Sequence, residues 1–360
     1  MAVTLADVAA RAGVSSATVS RVLNGNYPVA GSTRERVQRA VAELDYVVNG
    51  QARALAAATS DLVGVLVNDV ADPFFGLIAS ALQGEIGAGG GQPGSGKLAV
   101  VCNTGGSPAA ELTYLTLLER QRAAGVVLTG GAMEDEEHTA AVSARLARLA
   151  ASGTRIVLCG RPPLPDGAPE VMTVAFDNRG GARRLTEHLL ALGHRRIGYA
   201  AGPVERSTTR HRLEGHRAAL AAHGLGPDTQ AGTEAGRLTL HGGYDRASGY
   251  DAALELLRRE PEVTAIAAAN DTVALGVCAA LRDRGLSVPG DVSVAGFDDL
   301  PFSVDASPAL TTVRIPLQEA GARAGRLVMG RLAPPPGGVA TVTAELMIRT
   351  STAPPSARVR

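Results

Sequence analysis

The sequence predicts an all-α helix-turn-helix head joined to an α/β body of two doubly wound parallel-sheet lobes. Three observations predict it. Apolar residues recur at helical spacing through residues 1–48. From Leu62 onward, apolar runs of strand character alternate with helical stretches. Eight such runs follow one another in the body, enough for two sheets with a cleft between them. The expected boundaries are a head at 1–48, a hinge at 49–60 and a body at 61–360.

Bulk properties fit that division. The chain has 360 residues, 45% hydrophobic and 19% charged, an ordinary balance for a packed protein. No apolar run approaches the roughly 20 residues of a spanning helix, so no membrane partner is expected. MAVTLADVAARAG lacks a basic leader followed by an apolar block, so a cytoplasmic location is expected. Cys102, Cys159 and Cys278 are few, far apart and set in apolar runs, which reads as reduced core residues. The formal net charge is zero, yet residues 1–60 hold six arginines against four acids, a weakly basic head on a mildly acidic body. Lys97 is the only lysine, so any phosphate clamp must use arginine, hydroxyls and backbone amides.

In the head, Thr4-Leu5-Ala6-Asp7 reads as a helix cap with an acid three residues on. Leu5, Val8, Ala9 and Ala12 form one apolar face, and Gly13 ends that helix. A second helix follows Val14-Ser15, with Val19, Val22 and Leu23 inward and Ser16, Ala17, Ser20, Arg21 and Asn24 outward. Small and hydrogen-bonding residues on a short helix allow close entry into a DNA major groove. Ser32-Thr33-Arg34-Glu35 reads as a capping box opening a third helix, whose core stripe is Val37, Ala40, Val41 and Leu44. Periodicity alone also allows a plain three-helix bundle with a solvated polar face.

The residues themselves narrow the choice. TLADVAARAGVSSATVSRVLNG resembles, nearly position by position, the head of the lac repressor/gal repressor family of bacterial regulators. The resemblance implies that Ser16, Ala17 and Arg21 read base edges. It implies phosphate contacts for Thr4, Leu5 (through its N–H), Thr18, Ser20 and Asn24, with Ser15 beside them, which position without specifying sequence. YVVNGQARALAAATS is similar to the family's hinge, where Asn49, Ala52 and Leu55 match and would meet the minor groove. Val48 stands where the family usually has proline, which frees φ before the hinge. Ala30 stands where many members carry a phosphate-contacting serine. The eight residues Gln51–Ala58 are too few for a stable isolated helix, so folding on DNA is expected.

The body's apolar runs are 62–67, 98–102, 125–129, 155–159, 171–175, 196–200, 263–268 and 291–297. Strands apolar on both faces with helices between them imply parallel sheets covered on both sides. Ligands of such sheets sit beyond the strands' carboxyl ends. The family resemblance continues through DPFF (72–75), GARRLTEHLLALGHRRIGY (181–199), RLEGHRAAL (212–220), NDTVALG (270–276) and VPGDVSVAGFDD (288–299). It implies a periplasmic-binding-protein-like body whose cleft holds a sugar, a nucleobase or a related metabolite. Phe74 would face the ligand's apolar side, with Tyr244 on the opposite lobe. Arg212, Asn270 and Asp298 would bond its polar groups, and Arg161 would join them. An arginine and an aspartate on two lobes suit hydroxyls, which favours a sugar over a purine. Asp271 reads instead as a helix cap.

Other signals carry less. Gly91–Lys97 has the spacing of a phosphate-binding loop but precedes Leu98 and runs helix to strand, so a loop insertion is expected. His211, Glu214 and His216 lack a further ligand nearby, so neither metal nor cofactor is expected. No GxSxG elbow or HExxH motif occurs, which leaves an enzyme reading unsupported. VTAELMIRTST (342–352) is similar to the family's closing strand, and the tail after it has no apolar heptads. The expectation is a homodimeric transcriptional repressor that binds a pseudo-palindromic operator under sugar control. Its rivals are a two-lobed binding protein without DNA, and a regulator answering a nucleobase or no ligand.

Overall fold

Thr4 opens the first helix, α1 (Leu5–Ala12), through a full capping box with Asp7, and Gly13 closes it in the left-handed region at φ 65°. The computed structural model describes residues 3–24, 28–46, 60–88, 96–164, 168, 170–225 and 237–356. α2 (Ser16–Asn24) and α3 (Gly31–Glu43) complete the head. Val8, Ala9, Ala12, Val19, Val37 and Ala40 are its buried core, as the periodicity predicts. One expectation fails: the third helix begins at Gly31 behind Ala30, which gives no side-chain cap. Ser32 is therefore the second residue of the helix and Glu35 the fifth, so Ser32 does not stand at the capping position.

The chain divides into two compact units, Met1–Ser60 and Asp61–Arg360. In the second, the first lobe is a six-stranded sheet ordered β11-β5-β4-β3-β1-β2. Its strands are β1 (Leu62–Val67), β2 (Leu98–Asn103), β3 (Gly125–Thr129), β4 (Arg155–Cys159), β5 (Val171–Phe176) and β11 (Val339–Val342), all parallel. Helices α4 (Pro73–Gly87), α5 (Pro108–Arg120), α6 (Glu136–Ala151) and, returning from the second lobe, α12 (Leu317–Val328) cover it. The second lobe is a parallel sheet ordered β7-β6-β8-β9: β6 (Ile197–Ala201), β7 (Thr239–His241), β8 (Ala265–Ala268) and β9 (Ser293–Ala295). It carries α7 (Asn178–Ala191), α8 (Ser207–Ala222), α9 (Arg246–Arg259), α10 (Asp271–Asp283) and the short α11 (Phe302–Asp305). An antiparallel pair, β10 (Thr312–Arg314) with β12 (Glu345–Met347), lies where the chain passes between lobes.

All eight expected runs are strands, five in the first lobe and three in the second. The four others are short or amphipathic: TLH and VATV join sheet edges, while TVR and ELM pair with each other. Beyond β12 the expected closing strand stops, and the segment tucks into the second lobe: Ser351 Oγ donates to the Val294 carbonyl at 2.6 Å. Cys102 and Cys159 are buried, Cys278 is half-buried and all three are free thiols. Burial pushes the Cys159 thiol up to about 12, well away from reactive thiolate. His216 is stacked 4.6 Å from Tyr199 and shares a 2.9 Å bond with Thr186, while Glu214 pairs with Arg179 and Arg210 outside. Among the described residues no metal-ligand cluster occurs. No helix among them is long and apolar enough to cross a membrane.

Candidate functional site

On the head, Ser15, Ser16, Ala17 and Arg21 are exposed, and Thr18 and Ser20 are half-buried. The predicted outward face of α2 is therefore present, with Val19 fully buried behind it. Ser15 has a structural duty as well, since its hydroxyl accepts the Thr18 N–H at 3.2 Å and shares a 2.9 Å bond with the Thr18 hydroxyl. Thr4 likewise donates its hydroxyl to Asp7 at 2.7 Å, and Leu5 is half-buried at the start of α1. Asn24 is the last residue of α2. Asn49, Ala52, Leu55 and Val48 lie outside the described residues, as does most of the Gly-rich insertion.

In the body, a cavity of about 340 Å³ opens between the lobes at the strands' carboxyl ends. Phe74 lines it from the first lobe, and Tyr244, Arg212, Asn270 and Asp298 line it from the second. Asp72 caps α4, accepting the Phe74 N–H at 2.9 Å, and this sets Phe74 at the cavity edge. The Phe74 ring meets Phe75 and Phe176 edge-on at 4.9 and 6.3 Å. Across the cavity, Tyr244 shares a 2.6 Å hydrogen bond with Thr209. Gly202 leaves room for that ring, since a methyl group there would collide with it.

The floor is polar and rigid. Arg212 donates Nε to Asn178 at 2.8 Å, one terminal nitrogen to the Ala269 carbonyl at 2.5 Å and the other to Asp298 at 2.7 Å. Its guanidinium also lies 3.7 Å above the Phe297 ring. Asp298 and Asp299 both take positive φ, 103° and 54°, an uncommon conformation for residues other than glycine. Such strain needs over-determination. Here it comes from Arg212 on one side and from Arg314 and Arg349 on Asp299 on the other, at 2.7 and 2.5 Å. Burial pushes the Asp298 carboxyl up to about 6 against the pull of Arg212. Burial also raises Asp72.

Three sequence expectations need correction. Arg212 and Asp298 stand on the same lobe and bind each other, so they present one pre-formed group in place of two jaws. Asn270, not Asp271, caps α10, accepting the Val273 N–H at 2.8 Å, while it also lines the cavity. Asp271 is fully buried and accepts from Leu300 N–H at 2.7 Å and Thr312 Oγ1 at 2.5 Å, fixing the loop that holds Asp298. Arg161 lies away from this cavity: it pairs with Glu111 from α5 and lines a different space. A basic residue just past a strand end is not enough to tell on which side of the strand it emerges. Sequence reading missed Asp72 and Arg206. Asp72 stands in the quoted DPFF run, and Arg206 crosses between lobes to the Gly106 carbonyl at 2.7 Å.

Comparison with known proteins agrees with both units. Residues 4–49 match the family described as "Bacterial regulatory proteins, lacI family", and residues 186–352 match "Periplasmic binding protein-like domain". The chain is 36% identical over 326 residues to the HTH-type transcriptional regulator GalR of Escherichia coli, covering 91% of this chain and 88% of the relative. A solved lac repressor dimer bound to operator and the anti-inducer ONPF is 29% identical with TM-score 0.78, covering 98% of this chain and all of that one. A solved CelR–cellobiose complex is 33% identical with TM-score 0.67, covering 97% and 99%. A helical head with an exposed polar face on α2, a two-lobed body with a cleft, and identity spread over nine-tenths of the chain lead to one conclusion: the chain belongs to the LacI–GalR family of bacterial regulatory proteins.

Proposed function

We propose that this chain is a homodimeric repressor that grips a pseudo-palindromic operator through α2 and releases or tightens that grip when a neutral sugar fills the cleft. The observation that carries the reading is the buried Arg212–Asp298 pair, held by strained backbone at the strand ends and faced by Phe74 from the opposite lobe. A pre-formed charged group plus an aromatic wall suits a ring with hydroxyls on its edge and an apolar face. Asp69, Asp72, Glu205, Asp245 and Asp298 outnumber Arg206 and Arg212 around the cavity, which disfavours phosphorylated or acidic ligands. The solved CelR relative carries cellobiose, and the lac repressor relative is a dimer on operator, which supports both halves of the reading.

In this reading residues 1–48 bind DNA, residues 49–60 connect, and 61–360 dimerise and sense. Ser16, Ala17 and Arg21 read base edges, Thr4, Leu5, Ser15, Thr18, Ser20 and Asn24 hold phosphates, and Asn49, Ala52 and Leu55 meet the minor groove. The protein works beside its DNA in the cytoplasm and needs no catalysis. A thermal-shift screen of the full chain against neutral sugars, sugar phosphates and nucleobases tests it, followed by gel shifts with the hit. A neutral sugar should raise Tm and change operator affinity. Stabilisation by nucleobases or sugar phosphates alone would sink the sugar reading.

A further inference from the structure

The chain crosses between the lobes after β5, after β10 and after β11, at one edge of each sheet. The lobes also meet away from those crossings. The loop after β3 in the first lobe and the loop after β6 in the second are joined by an antiparallel bridge of Met133 with Arg206. β3 stands two strands from β5, and β6 stands two strands from β9, beside which the chain enters β10. At about 4.8 Å per strand, the two loops meet roughly 10 Å from the nearest crossing. A rotation of roughly 10° about the crossings would part them by about 2 Å at that distance, beyond hydrogen-bond reach.

Ser207 and Ala132 exchange a reciprocal pair across the lobes. The Ser207 N–H donates to the Ala132 carbonyl at 3.0 Å, and the Ala132 N–H donates to Ser207 Oγ at 3.0 Å. The Glu134 N–H donates to the Glu205 carbonyl at 2.8 Å. Arg206 reaches the Gly106 carbonyl at 2.7 Å, and Arg210 pairs with Glu134 at 2.7 Å. Two local features exist only to serve this contact. Ser207 is the first residue of α8, so its N–H is one of the orphan donors of a helix start. Arg206 before it gives no side-chain cap, where Ser, Thr, Asp or Asn would be preferred. A carbonyl of the opposite lobe caps the helix instead. Gly131 is the second feature: it is buried, and a methyl group there would collide with the Thr208 hydroxyl of the other lobe. Its backbone is outside the left-handed region, so what glycine supplies here is the close approach of the lobes.

We propose that residues 131–134 and 205–207 form a latch that holds the lobes together by the protein's own hydrogen bonds, at an attachment separate from the chain crossings. Gly131, Arg206 and Thr208 line the cleft, so the latch is also one of its walls. Each bond is modest by itself, but all of them span the same gap and must break together when the lobes rotate apart. Opening also uncaps α8, which ties the latch to the helix that carries Arg212. An occupant of the cleft therefore acts on lobes already drawn together, and changes the regulator by strengthening or releasing this contact. The latch stands whether that occupant is a sugar or another molecule, so its test needs none.

Hydrogen–deuterium exchange of the full-length protein, resolved to single amides by fragmentation in the mass spectrometer, reads the latch. The Ala132, Glu134 and Ser207 amides should exchange about a hundredfold more slowly than open chain, although they stand in loops and at a helix start. Gly131→Val drives a wedge between the lobes and should speed all three about tenfold, while the β6 amides keep their rates. Ser207→Ala is the milder variant, since it removes only the acceptor of the Ala132 N–H. It should speed Glu134 and Ser207 about tenfold as well, because the bonds of one latch open together. Open-chain rates in wild type, unchanged latch amides in Gly131→Val, or equal acceleration of β6 would each overturn the latch. So would a Ser207→Ala effect confined to Ala132, which would make the bonds independent contacts.

Discussion

In the head, the residues proposed to read base edges stand within two turns of one helix: Ser16, Ala17 and Arg21 are exposed, with Val19 buried between them. In the body, Arg212 and Asp298 are 86 residues apart in sequence and meet at 2.7 Å, each almost wholly buried. The head thus holds its proposed recognition groups exposed, as a polymer that brings its own charge and grooves would require. The body buries its proposed recognition groups and fixes them by backbone strain and pairing. Surface side chains contribute little to the stability of their own domain, whereas buried pairs bind recognition and stability together.

The sharpest break of this contrast is Asp298→Ala. It strands Arg212 in the core, so the body should lose about 3–5 kcal/mol, and the remaining folded protein should lose its sugar response. Operator affinity without sugar should stay. Calorimetry beside gel shifts decides it, and unchanged sugar affinity would remove Asp298 from the site.

Arg161→Met refines the comparison within the body. Glu111 would be left buried with only His138 beside it, 3.4 Å away, so chemical denaturation should again report a loss of about 3–5 kcal/mol. Sugar affinity of the folded fraction should nevertheless match wild type. A tenfold weaker sugar would mean that the two arginines serve one site after all.

The pH dependence separates the regions further. Asp298 ionises near 6 in the folded chain against an ordinary 3.8. The folded state therefore holds an extra proton between those values. Its stabilising effect is full below about pH 4 and lost as pH rises through about 6. Relative to Asp298→Asn, wild type should gain up to about 3 kcal/mol on acidification across that window, taking 1.36 kcal/mol per unit. Urea titrations at several pH values measure it, and parallel pH curves for the two proteins would contradict it.

The mildest expected effect belongs to the head. Arg21→Ala should cost about 1–3 kcal/mol on operator DNA and far less on random DNA, with the thermal transition unmoved. Equal losses on both DNAs would make Arg21 a phosphate contact.

The sequence by itself determined the head almost completely. Its helices are local objects, and Leu5, Val8, Ala9 and Ala12, then Gly13 at φ 65°, follow from spacing and one permissive residue. The misplaced start of α3 shows the limit even there, since Gly31 and Ser32 can join a helix or precede it. In the body the eight apolar runs were legible, because strands buried on both faces must be apolar throughout. Only the tertiary structure decided which runs share a sheet, and it sent β11 across from the far end of the chain to pair with β5. It also decided that Arg212 meets Asp298 while Arg161 turns away to Glu111. An arginine near a strand end looks the same in sequence whichever way it points. Its partner is chosen by which carboxylate the fold brings within about 3 Å, and that distance is set by packing over the whole lobe.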